Sequence, residues 1–430
     1  MIHSCIALLS FAAAVAATDK PNIIVIVADD LGYADLGFTG ARDIPTPNLD
    51  ALAKRGVVCT SGYVTHPFCS PTRAGLLTGR YQQRCGHENN PVWLPKDATV
   101  GLPTSEKTIA DALKSKGYTT GLVGKWHLGA HPDFHPNRRG FDEFFGFLGG
   151  GHVYTLGTTK AANEYNAPIY RNDKVVDEKA YLTDALGREA AGFVTRHAKE
   201  PFFLYFAFNA PHTPMQPGDP HLAKVATITN EKRRNYAAMV VSVDTAVGQL
   251  TAALQEKGIL DSTLIFFFSD NGGPIDVTAC HNTPYRGGKS TLYEGGVRVP
   301  FVVSWPAMLK PGTFADPVSS LDVFATAAPN DRLEGVNLVP KLKKPDDSLA
   351  QRPLFWRVGG GSAFAMREGS WKYIARGKQP VELYDLTRDP AEKTNVAAMN
   401  ATVVERMKTA VAKWNELNIA PVFGGIKTEK

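Results

Sequence analysis

Cysteine is scarce: a chain of 430 residues carries five. So few thiols cannot build a disulfide scaffold, which excludes the small stapled folds. Charge of one sign is also lacking. Lys and Arg total 47 against 42 Asp and Glu, a formal charge of +5, and no basic cluster is interleaved with aromatics, so a nucleic-acid-binding class is excluded. Beyond the N-terminus no apolar run is long and uninterrupted enough to span a bilayer, and there is neither an internal repeat nor a low-complexity tract. What remains is ordinary. Hydrophobic residues make up 43% and charged residues 21%, the balance of a soluble globular protein. This length buries a large core in one to three domains.

The first seventeen residues read as a secretory leader. An apolar run over 6–17 ends in small residues, with cleavage expected after Ala17 and with only His3 in the n-region. The expected location is therefore secreted or periplasmic, with no membrane span in the mature chain. Cys5 leaves with the leader. Of the other thiols, Cys59 in Val57-Val58-Cys59 reads as buried, and Cys85 with Cys280 is the pair expected to bridge, if any does.

Apolar runs rich in β-branched and aromatic residues recur at 23–28, 119–123, 202–208, 264–268 and 301–304. Amphipathic stretches separate them: one opens at Thr46-Pro47, one covers 104–116 before Gly117, and a long one covers 230–257 before Gly258. Strands that are apolar throughout, alternating with helices, predict an α/β protein with a large, mainly parallel sheet covered by helices on both faces. From about 353 the pattern changes. Short strands at 353–358, 363–367, 371–375 and 381–386, with tight separators such as Gly359-Gly360-Gly361, predict a smaller antiparallel sheet followed by a helix over 403–417. The expected division is a leader at 1–17, a catalytic domain at 18–345 and a C-terminal antiparallel subdomain at 346–430, with the linker in the Lys/Pro/Asp-rich stretch 341–347.

Chemistry collects where four apolar runs end. They run into Asp29-Asp30, into Gly124-Lys125-Trp126-His127, into Asn209-Ala210-Pro211-His212, and into Asp270-Asn271-Gly272. Each cluster alone is an ordinary turn or cap. Together they suggest one site, because an open α/β sheet binds ligands beyond the carboxyl ends of its strands. Asp29, Asp30, Asp270 and Asn271 make a hard, all-oxygen set suited to Ca²⁺ or Mg²⁺ and not to Zn²⁺. With Arg73, Lys125, His127 and His212 beside it, such a metal makes a strongly positive setting for an oxyanion. Cys69 lies immediately before a helix-like run over 73–84, whose N-terminal N–H groups add to anion binding. The loop Tyr285-Arg286-Gly287-Gly288-Lys289-Ser290 has the wrong spacing for a P-loop and reads as the carrier of another cation, Lys289.

These residues carry a resemblance. Cys69-Ser70-Pro71-Thr72-Arg73, Pro21-Asn22-Ile23 through Asp29-Asp30-Leu31-Gly32, Thr46-Pro47-Asn48-Leu49-Asp50, Gly124-Lys125-Trp126-His127-Leu128-Gly129, Gly140-Phe141-Asp142, Ala210-Pro211-His212, Ser269-Asp270-Asn271-Gly272 and Gly288-Lys289 to Gly296 stand in the order found in one family. The chain resembles the formylglycine-dependent, arylsulfatase-like sulfatases of the alkaline phosphatase superfamily. The resemblance implies an alkaline-phosphatase-like fold and a sulfuric ester hydrolase. It implies that a formylglycine-generating maturation enzyme oxidises Cys69 to an aldehyde whose hydrate is the nucleophile. It also implies Ca²⁺, with Mg²⁺ possible, on Asp29, Asp30, Asp270, Asn271 and residue 69. Arg73 and Lys125 would steady nucleophile and sulfate, His212 and Lys289 would hold sulfate near the leaving oxygen with His212 as acid, and His127 would act as base when sulfate is released. One departure stands out: after Leu321-Asp322-Val323-Phe324 the stretch 325–332 is shortened relative to the family, outside the catalytic motifs.

The expected substrate is a sulfated carbohydrate, an algal galactan or a glycosaminoglycan fragment. His87, Glu88, Asn90, Trp93, His152 and Arg286 are candidate sugar contacts, with His131 a further one. The alternative within the same superfamily is a phosphodiester or phosphonate monoester hydrolase.

Overall fold

The computed structural model describes residues 20–155, 164–344, 349 and 351–425. The leader expected at 1–17 and the domain division expected at 345/346 lie outside these residues. Ten strands form one sheet in the order Gly312–Phe314, Val57–Cys59, Phe301–Ser304, Thr263–Ser269, Asn22–Ala28, Phe202–Ala207, Thr119–Lys125, Glu143–Phe147, Ile169–Arg171, Lys174–Val176. From Thr263–Ser269 to Glu143–Phe147 every neighbouring pair is parallel, so these strands all end on one edge. Phe301–Ser304 runs antiparallel beside them.

The expected two-sided burial is present, and it follows from the period of two along a strand. Ile24, Ile26, Leu204 and Phe206 pack on the face covered by helices Pro47–Lys54, Leu182–His197 and Glu231–Glu256. Ile23, Val25, Val27, Phe203 and Tyr205 pack on the other, against helices Cys69–Thr78, Ile109–Ser115 and Leu321–Ala327. By length and composition alone Glu231–Glu256 could cross a membrane. Tyr236, Val240, Val243, Val247, Leu250 and Leu254 instead bury it in the core. Asn230 caps this helix, its side chain accepting from Arg233 N–H at 2.9 Å. Asn230→Ala is expected to lower stability by about 1 kcal/mol, read as a shifted urea midpoint at constant slope.

Two helices differ from the sequence reading. The stretch 104–116 turns helical only at Ile109, because Thr108 and Asp111 exchange side-chain and backbone hydrogen bonds in a capping box. The helix after Cys69 begins at Cys69 itself and stops at Thr78, where Gly79 takes a left-handed φ of 66° and its N–H bonds to Gly75 O. Pro71 does not prevent this early start, since a first-turn residue has no intrahelical acceptor for its missing N–H.

The smaller C-terminal sheet is antiparallel: Leu354–Val358, Ala363–Glu368, Trp371–Arg376, Glu382–Asp385. One face packs Met366, Tyr373 and Leu383 on Met407 and Val411 of the terminal helix Ala401–Asn415. The other packs Trp356 and Ile374 on Tyr63, Leu292 and Val297. Here a fully buried ion pair, Lys372 Nζ to Glu294 Oε1 at 2.9 Å, ties the sheet to the segment just after Lys289. In the stretch expected to be shortened, helix Leu321–Ala327 ends at Ala327, and Leu333 and Phe324 pack over Gly79.

No bridge joins Cys85 and Cys280. Cys59, Cys69, Cys85 and Cys280 are all free and buried, with the Cys85 thiol donating to Gln82 O at 3.3 Å and Cys280 packed on Gly273.

Candidate active site

The sheet ladder continues past its strands and draws their ends together: Asp29 N–H bonds Ala210 O at 3.1 Å, and Asp270 N–H bonds Ala28 O at 3.0 Å. The backbone here is unusual. Asp30, His127 and Ser290 have φ of 65°, 59° and 72°, a region costing a non-glycine residue roughly 1 kcal/mol or more. Gly124, just before Lys125, has φ of 116°, and a Cβ on it would lie 1.8 Å from Ala207 O. Only glycine lets the two strands close up where Lys125 turns inward.

Arg73 is the hub. It is fully buried, with Nε and Nη2 donating to Asp270 Oδ2 at 3.0 and 2.8 Å. Nη2 lies 3.5 Å from Asp29 Oδ2, and the guanidinium also bonds Lys125 O at 3.3 Å and Phe208 O at 3.4 Å. One side chain thus touches four strand ends. Lys125 Nζ forms a short ion pair with Asp29 Oδ2. Burial pushes the Asp29 carboxyl up, but Lys125, His212, Arg73 and Lys289 outweigh it and hold the group well below the usual range. Burial and then Asp29 itself push Asp270 up to about 6.

Cys69, at the first position of its helix, donates to Asp29 Oδ1 at 3.5 Å and receives Lys289 Nζ at 3.4 Å. Burial, then the Asp29 charge, push its thiol up to about 12. Lys289 also bonds both oxygens of Asp30, at 2.9 and 2.8 Å. His212 Nδ1 donates to Thr213 O at 2.7 Å, which turns its other nitrogen, Nε2, to within 3.6 Å of Asp30 Oδ2. Burial and Lys289 push this imidazole down. His127 is buried with no hydrogen-bond partner on either ring nitrogen. Burial, Lys125 and Arg73 push it well below its ordinary value.

A divalent cation fits this donor set. Asp29, Asp30 and Cys69 bring ligand atoms within 4.8 Å of one another, with His212 beside them inside the same distance. Asp270 and Asn271 border that group: Asp30 N–H bonds Asp270 Oδ1 at 3.4 Å, and Asn271 Nδ2 donates to Asp30 Oδ1 at 2.7 Å. Asn271 Oδ1 is buried without a partner, and such an orphaned carbonyl oxygen suits a hard cation.

The candidate sugar contacts fare differently. The structure places His87, Glu88 and His152 inside the protein, each buried and bonded to other residues of the chain. His87 Nε2 meets Ser70 Oγ at 2.6 Å and its ring packs on Phe423. Glu88 pairs with Arg357, and His152 bonds Val153 O and Ala167 O. Asn90 Oδ1 accepts from Ser70 N–H at 3.0 Å and so caps the Cys69 helix. Arg286 bonds Tyr384 OH and Glu392 O and lies over the Tyr293 ring, half exposed. Trp93 is half-buried against the core, and His131 is half-buried beside Asp133. The sequence reading missed a fifth strand end, Glu143–Phe147, and the Gly149-Gly150-Gly151 run beyond it. Three consecutive glycines after an aromatic strand were the available signal.

The comparisons with known proteins point one way. The Sulfatase family model matches residues 21–329. N-acetylgalactosamine-6-sulfatase of Mus musculus is 35% identical over 392 residues, spanning 84% of this chain and 72% of that protein. Arylsulfatase A of Homo sapiens is 33% identical over 479 residues, spanning 97% of this chain and 92% of that one. Among solved structures, Ps i-CgsB in complex with k-i-k-neocarrahexaose matches with a TM-score of 0.90 at 41% identity, covering 95% of each chain.

Proposed function

The chain belongs to the sulfatase family and is a sulfuric ester hydrolase; on that footing we propose that it desulfates a galactan oligosaccharide with a formylglycine made from Cys69. The observation that carries the proposal is the position of Cys69. It opens a buried helix, with its sulfur between the Asp29 carboxylate and the Lys289 ammonium. The galactan is favoured over a glycosaminoglycan because the likeness to Ps i-CgsB, which holds k-i-k-neocarrahexaose, extends over 95% of both chains. The leader over 1–17, a secreted or periplasmic location and a formylglycine-generating partner belong to the same proposal.

Formylglycine supplies a geminal diol at residue 69, with one oxygen to attack sulfur and a second to expel sulfate afterwards. Asp29, Asp30, Asp270 and Asn271, with the side chain of residue 69, would hold Ca²⁺ or Mg²⁺, which supplies positive charge against the sulfate oxygens. Lys125 and Arg73 keep the nucleophile and those oxygens in place from the inner side. Lys289 holds sulfate from the loop side. His212 Nε2, 3.6 Å from Asp30 Oδ2, carries the proton for the leaving sugar oxygen. His127 takes the proton from the second hydroxyl of residue 69 as sulfate departs.

The test is a panel of sulfated oligosaccharides and aryl phosphates, assayed for sulfate and phosphate release. Sulfate release from a sulfated galactan oligosaccharide, faster than from glycosaminoglycan fragments, is expected. Faster turnover of a phosphate ester than of every sulfate ester overturns the reading. Chelator treatment should abolish sulfate release, and Ca²⁺ or Mg²⁺ should restore it. The same ion should stabilise the fold by about 2.7 kcal/mol at one hundred times its dissociation constant, read as a rise in melting temperature.

A further inference from the structure

The run Gly149-Gly150-Gly151 follows strand Glu143–Phe147, on the same sheet edge as the other four strand ends. None of the three has a left-handed φ, so torsion does not require glycine there. Space does. A Cβ on Gly149 would lie 2.7 Å from Glu164 Cγ, and one on Gly151 would lie 2.6 Å from Tyr165 Cε1. A Cβ on Gly150 would lie 2.3 Å from His127 Nε2 and 2.7 Å from Glu164 Oε1. The missing side chain of Gly150 is therefore what allows a carboxylate and the His127 imidazole to share one small space. Gly150 N–H bonds Glu164 Oε1, and Gly151 N–H also contributes, so the carboxylate is held in place by backbone.

His127 needs such a neighbour. Both its ring nitrogens lack a partner. The charged and titratable groups facing it are Lys125, Arg73, His212 and Asp29, and Asp29 is already engaged by Lys125, Arg73 and Cys69. A protonated imidazole there would stand among cations with no carboxylate of its own.

Resting on the proposed function, we infer that Glu164 is the positioning residue of His127: no hydrogen bond joins them in this structure, and a movement of the carboxylate into the space beside Gly150 would let it accept Nε2–H and offset the charge of the imidazolium. With Nε2–H donated, the lone pair lies on Nδ1, which fixes the tautomer. In the release step the O–H bond of the second hydroxyl on residue 69 breaks and an N–H bond forms on His127. The carbonyl re-forms, the carbon–oxygen bond to sulfate breaks, and the proton later returns to water. Glu164 makes and breaks no covalent bond.

The test uses formylglycine-bearing enzyme with Glu164→Gln and, independently, Gly150→Ala, which forces the carboxylate and imidazole apart. Each is expected to lower kcat about 10- to 100-fold with KM little changed, on a sulfated oligosaccharide and on a sugar-free aryl sulfate alike. Acid-quenched Glu164→Gln enzyme should accumulate a mass adduct of one sulfuryl group, because release and not attack is slowed. A raised KM on the oligosaccharide alone, with no adduct and normal aryl sulfate turnover, would make Glu164 a sugar contact and overturn the inference. The His127 ring titration, followed by NMR, needs no turnover: its pKa should fall in Glu164→Gln, and an unchanged value in both variants also overturns the inference. If wild type releases no sulfate from any ester, the proposed function fails, and the titration still decides the role of Glu164.

Discussion

Cys69→Ala, produced together with a formylglycine-generating enzyme, should release sulfate at least about 10⁴-fold more slowly than wild type, with an unchanged fold. The expected size follows from what residue 69 does. The side chain is almost fully buried at the start of a helix, and its sulfur is pinned between Asp29 and Lys289. As a thiol it is a poor nucleophile, since burial and the neighbouring carboxylate push it up to about 12 and deny it the thiolate form. Oxidised to the aldehyde and hydrated, it brings two hydroxyls to the same place, and no separate water has to attack a sulfated enzyme. Cys69→Ser tests that second point, because it keeps one oxygen and lacks the other. It should transfer at most one sulfuryl group per active site and then stop. Mass spectrometry of the peptide containing residue 69 is the companion measurement. Active wild-type enzyme with only intact thiol at this position, or full turnover by Cys69→Ala, would remove the formylglycine from the mechanism.

Much of this architecture was legible because its signals are local. Apolar runs at 23–28 and 264–268, rich in β-branched and aromatic residues, read as strands buried on both faces, and both recur as Asn22–Ala28 and Thr263–Ser269 in the middle of the sheet. Their polar ends, Asp29-Asp30 and Asp270-Asn271, meet through a hydrogen bond between Asp30 and Asp270 spanning 240 residues. The parallel topology made that convergence foreseeable. Strand Glu143–Phe147 was not foreseen, since a five-residue aromatic run with an internal glycine does not identify its own partner. The burial of His87 and Glu88 was hidden for a similar reason. Polar residues just after a catalytic helix look like rim residues, and only the tertiary structure brings Phe423 and Arg357 onto them from the far end of the chain. Glu164 carries no motif at all, and its importance lies in the space that three glycines leave.

Arg73→Met should unfold about 3–5 kcal/mol more easily than wild type when both are measured in chelator, and it should release no measurable sulfate. Methionine roughly follows the arginine stem, so packing loss is small and the deficit reports on charge. Without the guanidinium, Asp270 keeps only the more distant positive charge of Lys125, in a site with no solvent to replace the lost bonds at 2.8 and 3.0 Å. The carbonyls of Lys125 and Phe208 lose their donor in the same change. The double variant Arg73→Met with Asp270→Asn removes the stranded charge. It should recover much of the stability while remaining inactive, a coupling that a double-mutant cycle measures directly. Arg73→Lys should fall between them: the charge survives, but one ammonium cannot copy a planar fork reaching four strand ends. Equal denaturation midpoints for wild type and Arg73→Met would mean that Arg73 serves the sulfate alone. A double variant no more stable than the single one would place the loss in packing and not in charge.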